Sequence, residues 1–202
     1  MIVDSTAWGE FKVGELFDKP KLGFMPDPPR KFVKAADTSV EQNEEFTVPL
    51  TNAKYGNNGI MYFGRPGEWT TAEKTIGVVS NGAVAVGSVY VHTPATSVID
   101  DSYLLTFPDD AAVQDHSRAG EDPRLTEEVL LFVATVLEAV IRPRYSYDDK
   151  AVWSKVSQET IKLPQTPEGT PDWQAMHDFV AERRKRAEEN VEALLRLSLI
   201  HI

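Results

Sequence analysis

Hydrophobic and polar positions alternate along this chain in more than one rhythm, and each rhythm predicts a different element. Near the start, Trp8, Phe11, Val13, Leu16 and Phe17 fit a short strand that turns into a single helical turn. Asp18 to Arg30 is rich in proline and lysine and reads as loop. From Phe46 the pattern becomes that of strands: 46–50 and 60–63, joined by 51–59, then 75–80 and 83–91 flanking Asn81-Gly82, then 97–107 with Leu104, Leu105 and Phe107 apolar. Gly77 and Gly87, inside apolar runs, mark bulges or close backbone contacts.

A helical rhythm takes over after an acidic stretch, Asp109 to Arg124, that reads as a mobile surface loop. Leu125, Val129, Phe132, Val133, Val136, Leu137 and Val140 fall on one stripe, widened by Leu130, Leu131 and Ile141. Thr126 is the expected N-cap, with Glu127 and Glu128 in the first turn. Thr160-Ile161-Lys162-Leu163-Pro164 alternates as a strand that stops at proline. The last predicted element is a helix from Pro171 to Arg196, capped by Thr170. Along it Trp173, Met176, Val180, Arg183, Ala187, Asn190 and Leu194 follow alternating steps of three and four, a coiled-coil seam thickened by Val191 and Leu195. The expected fold class is α+β: a small curved sheet, mixed or antiparallel, with packed helices, followed by a long coiled-coil-type helix.

Composition narrows the function classes. The chain has 202 residues, enough for one self-sufficient domain plus an appendage. With no cysteine, it has neither disulfides nor thiolate metal sites. No apolar run reaches the length of a bilayer span and the N-terminus lacks a secretory pattern, so a cytoplasmic protein with no membrane association is expected. The net charge of −10 argues against a generic nucleic-acid binder. Much of it lies between Asp100 and Glu128, where nine acids face two arginines, so the rest of the chain is close to balanced.

Catalytic constellations are not found. The histidines at 92, 116, 177 and 201 lack metal-ligand spacing, and no Gly-rich phosphate loop or nucleophile elbow is present. No cofactor and no metal are expected. Asp27-Pro28-Pro29 resembles the start of an amino-methyltransferase tetrapeptide, but Arg30 stands where an aromatic residue would stack on a flipped base. Binding candidates are clearer. The loop before the second strand carries Lys54, Tyr55, Asn57 and Asn58: asparagine can bond an adenine edge and lysine a phosphate, while Asn58-Gly59 is equally a turn signal. Arg65 and Asn81 sit in further loops. Tyr145, Tyr147 and Lys150 mix aromatic and basic character in a loop directly after the apolar helix. Arg183-Arg184-Lys185-Arg186 is either a solvated helix face or a surface for DNA or a protein partner.

Four pieces occur in a characteristic order: Trp8 to Phe17, Asn57-Asn58-Gly59-Ile60, the Tyr145 loop with Ile161-Lys162-Leu163-Pro164, and Pro171-Asp172-Trp173 with Met176 opening the last helix. In that order the chain resembles the DNA specificity (S) subunits of type I restriction-modification systems, and the related recognition modules of methyltransferase-endonuclease fusions. The resemblance implies a target recognition domain over 1–164 and a turn and spacer or dimerisation helix over 165–196. It implies a non-catalytic subunit that reads a half-site in double-stranded DNA through Lys54, Tyr55, Asn57, Asn58, Arg65, Asn81, Tyr145, Tyr147 and Lys150. Methylase (M) and restriction (R) subunits are the implied partners in defence against foreign DNA. A second recognition domain, or another copy of the chain, would meet the helix through Trp173, Met176, Val180, Ala187, Val191 and Leu194. Residues 197–202, Leu-Ser-Leu-Ile-His-Ile, match a translated sequencing adaptor and are read as a non-native tail, which leaves open a natural half-subunit or a truncated gene product. The alternative is a β-rich interaction module that docks a partner through its last helix without touching DNA.

Overall fold

Short strands punctuated by glycine and proline cannot build one broad sheet, and the described residues form four small ones instead. The computed structural model describes residues 8–108 and 122–199. In chain order the elements are β1 (Trp8–Lys12), α1 (Val13–Leu16), β2 (Gly23–Phe24), α2 (Lys34–Asp37), β3 (Thr38–Ser39) and β4 (Val48–Thr51). Then come β5 (Ile60–Gly64), β6 (Trp69–Thr70), β7 (Thr75–Val79), β8 (Val89–His92), β9 (Ser97–Val98) and β10 (Ser102–Leu105). The C-terminal part holds α3 (Glu127–Ile141), α4 (Trp153–Val156), β11 (Thr160–Pro164) and α5 (Trp173–Leu199). The sheets are β1-β11, β10-β7-β8, β2-β6 and β3-β5-β4-β9, antiparallel except where β4 meets β9. The architecture is α+β, as the pattern predicts.

The two ends of the domain are stitched together by β1 and β11, in register from Trp8 opposite Pro164 to Lys12 opposite Thr160. Ile161 and Leu163 are buried while Thr160 and Lys162 are exposed, so one face of β11 enters the core. α3 is the core's spine. Val129, Leu130, Phe132, Val133, Ala134, Leu137 and Ile141 are buried in one cluster with Ile76, Val78, Val89, Tyr103 and Leu105 from the three-stranded sheet. The Thr126 hydroxyl accepts from the Val129 N–H and caps the helix as expected.

Three expected elements are corrected. The strand predicted over 83–91 begins only at Val89. Before it the chain makes a helical turn, in which Val86 donates to the Gly82 carbonyl and Gly87 takes a left-handed φ of 76°. The strand predicted over 97–107 splits into β9 and β10, because Asp101 adopts a φ of 54° and breaks the ladder. The cap of α5 is Asp172 rather than Thr170: its carboxylate accepts from the Ala175 N–H at 2.9 Å. Thr170 is occupied in the preceding turn with Thr166, and Pro171 bridges Gln165, so neither joins the helix.

The seam of α5 divides. Met176 is fully buried and Val180 partly so against the core, Trp173 stacks edge-on to Phe107 at 5.2 Å, and Phe179 does the same to Phe132 at 5.5 Å. Arg184 reaches Glu128 at 2.8 Å at the start of α3. Trp173, Met176 and Val180, expected to meet a partner, are therefore filled by this chain's own domain. From 185 to 196 the side chains are exposed, Ala187, Val191, Leu194 and Leu195 among them. The surface loop expected over Asp109 to Arg124 lies outside the described residues except for 122–124, as do His116, His201 and the end of the tail.

Candidate functional site

Gly56-Asn57-Asn58-Gly59 owes its composition first to the backbone. All four residues have positive φ, at 77°, 48°, 50° and 69°, a run that only glycine and asparagine adopt at low cost. The loop is then tied down: the Gly56 N–H donates to the Tyr90 hydroxyl at 2.8 Å, and Gly59 packs on the Tyr90 ring. Asn57 spends its amide on the Ile60 carbonyl at 3.0 Å. Asn58 is exposed at the loop's tip, and Tyr55 is 58% exposed beside it.

A second loop, 80–88, lies against this one. A Cβ built on Gly82 would sit 3.4 Å from Ala53, and one on Gly87 would sit 2.8 Å from the Cα of Arg142. Asn81 turns inward, donating from its side-chain amide to Asp101 at 2.8 Å. The outward residue is Val84, 70% exposed. Because Gly87 meets both a left-handed φ and a neighbouring backbone, Gly87→Ala is expected to cost about 2 kcal/mol or more. Gly56→Ala has open space around it, but φ 77° with ψ 178° is essentially a glycine-only conformation, so about 1–3 kcal/mol of backbone strain applies there without any clash. Urea unfolding checks Gly87→Ala; a loss below about 1 kcal/mol would contradict the close approach to Arg142.

The third loop follows α3. Tyr145 is its anchor: the hydroxyl donates to Glu159 at 2.9 Å, and burial together with that carboxylate pushes its pKa up to about 12. Ser146 and Asp149 close a tight turn through mutual hydrogen bonds, which leaves Tyr147 at the tip, 60% exposed. Ala151 ties the end of the loop to the sheet, donating to the Ser80 carbonyl at 3.0 Å and accepting from the Tyr103 hydroxyl at 3.1 Å. The three loops thus share one end of the domain, and each presents one exposed large hydrophobic side chain: Tyr55, Val84 and Tyr147.

Charge at this end departs from the acidic balance of the chain. Lys54, Arg142, Arg144, Lys150 and Lys155 stand on these loops and the start of α4, with Asp148 and Asp149 within the loops and Asp101, Glu138 and Glu159 against them, so the two signs are near balance. Arg142 pairs with Glu138, Arg144 with Glu159 and Lys155 with Asp149. Lys54 and Lys150 make no ion pair among the described residues.

Arg65 stands apart. It follows the far end of β5 from Asn58, where its guanidinium stacks on Phe46 at 4.3 Å and is shared among Glu45, Glu68 and the buried Asp37. Arg30 closes the same network through Asp37 and Glu68. Burial raises the Asp37 pKa, but the Val33 N–H and Arg30 outweigh it and hold the carboxyl below its ordinary value. Sequence reading passed over Val84 and Arg142. The small residues around Val84 were a usable signal for an exposed tip, whereas nothing local marks Arg142. Among the described residues no three histidine or carboxylate side chains gather as a metal site, and no helix is long and apolar enough to cross a membrane.

No protein-family model matches the chain, and no curated protein matches it in sequence. Solved structures do match in fold. The type I restriction-modification system S subunit from M. genitalium superposes with a TM-score of 0.54 at 15% identity, over 95% of this chain and 44% of that one. A structure described by the complex assembly and conformational transition of the type I R-M system gives 0.51 at 15% identity, over 95% and 43%. The HsdS subunit from Thermoanaerobacter tengcongensis gives 0.49 at 16%, over 95% and 40%. The chain spans less than half the length of these structures. It therefore has the fold of type I restriction-modification S subunits, over a span shorter than half of such a subunit.

Proposed function

We propose that this chain recognises a short sequence in double-stranded DNA, as part of a specificity subunit of a type I-like restriction-modification system. The observation that carries the reading is the convergence of three loops at one end, each with an exposed Tyr or Val at its tip, two of them bearing Lys54 and Lys150, which make no ion pair among the described residues. Lys54 and Lys150 would meet phosphates and set the register, while Asn58, Tyr55 and Tyr147 would meet base edges in a groove. Asn57, Asn81 and Tyr145 shape the loops through their internal hydrogen bonds. Arg65, engaged by carboxylates at another place, plays no part in this reading.

The likeness to S subunits supports assignment of methylation and cleavage to separate M and R subunits, with this chain non-catalytic and cytoplasmic. The exposed run Ala187, Val191, Leu194 and Leu195 on α5 favours pairing there with a second recognition domain or a second copy. The same run is what a protein-docking module without DNA contact would show, and binding data separate the two.

The test is equilibrium binding to random-pool and pool-selected duplexes across a salt series. Selection of a preferred sequence is expected, with an affinity that falls steeply with salt. Lys150→Gln should weaken every duplex alike and reduce the salt slope by about 0.9. Asn58→Gly keeps the left-handed backbone and removes the amide, so it should relax choice at one base pair by about 1–3 kcal/mol. Affinity indifferent to both salt and sequence would leave the protein-docking reading.

A further inference from the structure

Arg142 links all three loops. It is the residue after α3 and so begins the 142–151 loop, and its N–H still donates to the Glu138 carbonyl at 3.0 Å as the helix ends. Its backbone is the surface on which Gly87 of the second loop rests. Its guanidinium lies 5.0 Å from the centroid of the Tyr55 ring on the first loop, while Glu138, one turn back, pairs with it at 2.9 Å. Tyr55 and Glu138, in that order, hold the guanidinium firmly in its charged form.

From this geometry we infer that Arg142 is a positioning residue for recognition: it fixes Tyr55 and Asn58 relative to Tyr147 rather than contacting phosphate itself. The inference rests on the reading of this surface as the one that meets DNA, and deepens it. A planar guanidinium can lie on a tyrosine ring and take a carboxylate in its plane at the same time, whereas an ammonium offers a point charge with no plane. Without the clamp, the Tyr55 loop loses its link to the helix end, and the Gly56 hydrogen bond to Tyr90, left to hold the loop, opens more often. Phosphate contacts would survive such a loss. The relative placement of base-reading groups would not, and displacements near 1 Å are enough to break a bidentate base contact.

Two variants separate positioning from phosphate contact. Arg142→Gln removes the charge and the stack; Arg142→Lys keeps the charge and removes the plane. Both are at a half-exposed site, so folding should be preserved and is checked by urea unfolding. In the full chain without DNA, amide exchange at Gly56 and Gly59 should rise about tenfold in both variants. With a pool-selected duplex against a scrambled one, both should lose about tenfold in selectivity while the salt slope stays at the wild-type value. If Arg142→Lys behaves as wild type and Arg142→Gln weakens all duplexes alike with a slope lower by about 0.9, Arg142 is a phosphate contact and the inference is overturned. Unchanged exchange in both variants overturns it as well. If exchange rises but the wild type itself selects no sequence, the clamp exists and the DNA reading has failed, taking the recognition role with it.

Discussion

Met176→Ala is expected to destabilise the chain by about 2–5 kcal/mol, the range for emptying a buried site of this size. Met176 has no exposed surface and lies one turn into α5, in the same core cluster as Val129, Val133 and Leu163. It is flanked by two edge-on aromatic contacts, Trp173 on Phe107 just after β10 and Phe179 on Phe132 of α3, which clamp the helix to the domain. The thioether fills space that neither ring can enter, and a cavity there loosens both. Leu194→Ala offers the contrast, since Leu194 is 66% exposed on the same helix and should change stability in dilute protein by no more than about 0.5 kcal/mol. Urea unfolding followed by tryptophan fluorescence measures both. Equal effects would mean that α5 does not dock as a core element.

A second large effect comes with acid. His92 is 3% exposed in β8 with its ring against Gly77, and its Nε2 has no hydrogen-bond partner among the described residues. Burial pushes its pKa down from 6.5 to about 4. The unfolded chain therefore takes up a proton before the folded one does. Stability is full above pH 6.5, falls as the pH drops, and stops falling near 4, where both states are protonated. At about 1.4 kcal/mol per unit over that window, the loss is on the order of 3 kcal/mol. Asp37 adds to acid loss only at lower pH, because its carboxyl is held below the ordinary range and its stabilisation disappears as pH falls through that folded value. Subtracting the pH–stability curve of His92→Gln from that of the wild type isolates the histidine. A difference that is flat between pH 6.5 and 4.5 would show that the ring is solvated.

Much of this architecture is legible in the residues, and the reasons differ from place to place. The alternation in Ile161-Lys162-Leu163, the Thr126 cap and the α3 stripe are local patterns whose period alone identifies them. Gly56-Asn57-Asn58-Gly59 is a turn by necessity, since each residue tolerates positive φ. The run 83–91 misleads because Val, Ala and Tyr read as strand, while the turn is imposed at Gly87 by packing on Arg142, a residue remote in sequence. Arg65 reads as a free cation only because Asp37 and Glu45 are brought to it by the sheet. The seam of α5 shows an apolar stripe without saying whose surface covers it. Trp173, Met176 and Val180 are packed on this domain, whereas Ala187, Val191 and Leu194 are exposed. The loop-end surface has the same character: its parts can be named from sequence, but their meeting point cannot.

Hydrogen-exchange mapping of the chain with and without a pool-selected duplex tests the central claim most directly. Protection is expected at 54–58, 82–86 and 145–150 together, with 30–45 and 65–68 unchanged. Protection confined to the Arg30–Arg65 network or to α5, with the three loops exchanging as in the free chain, would contradict the account.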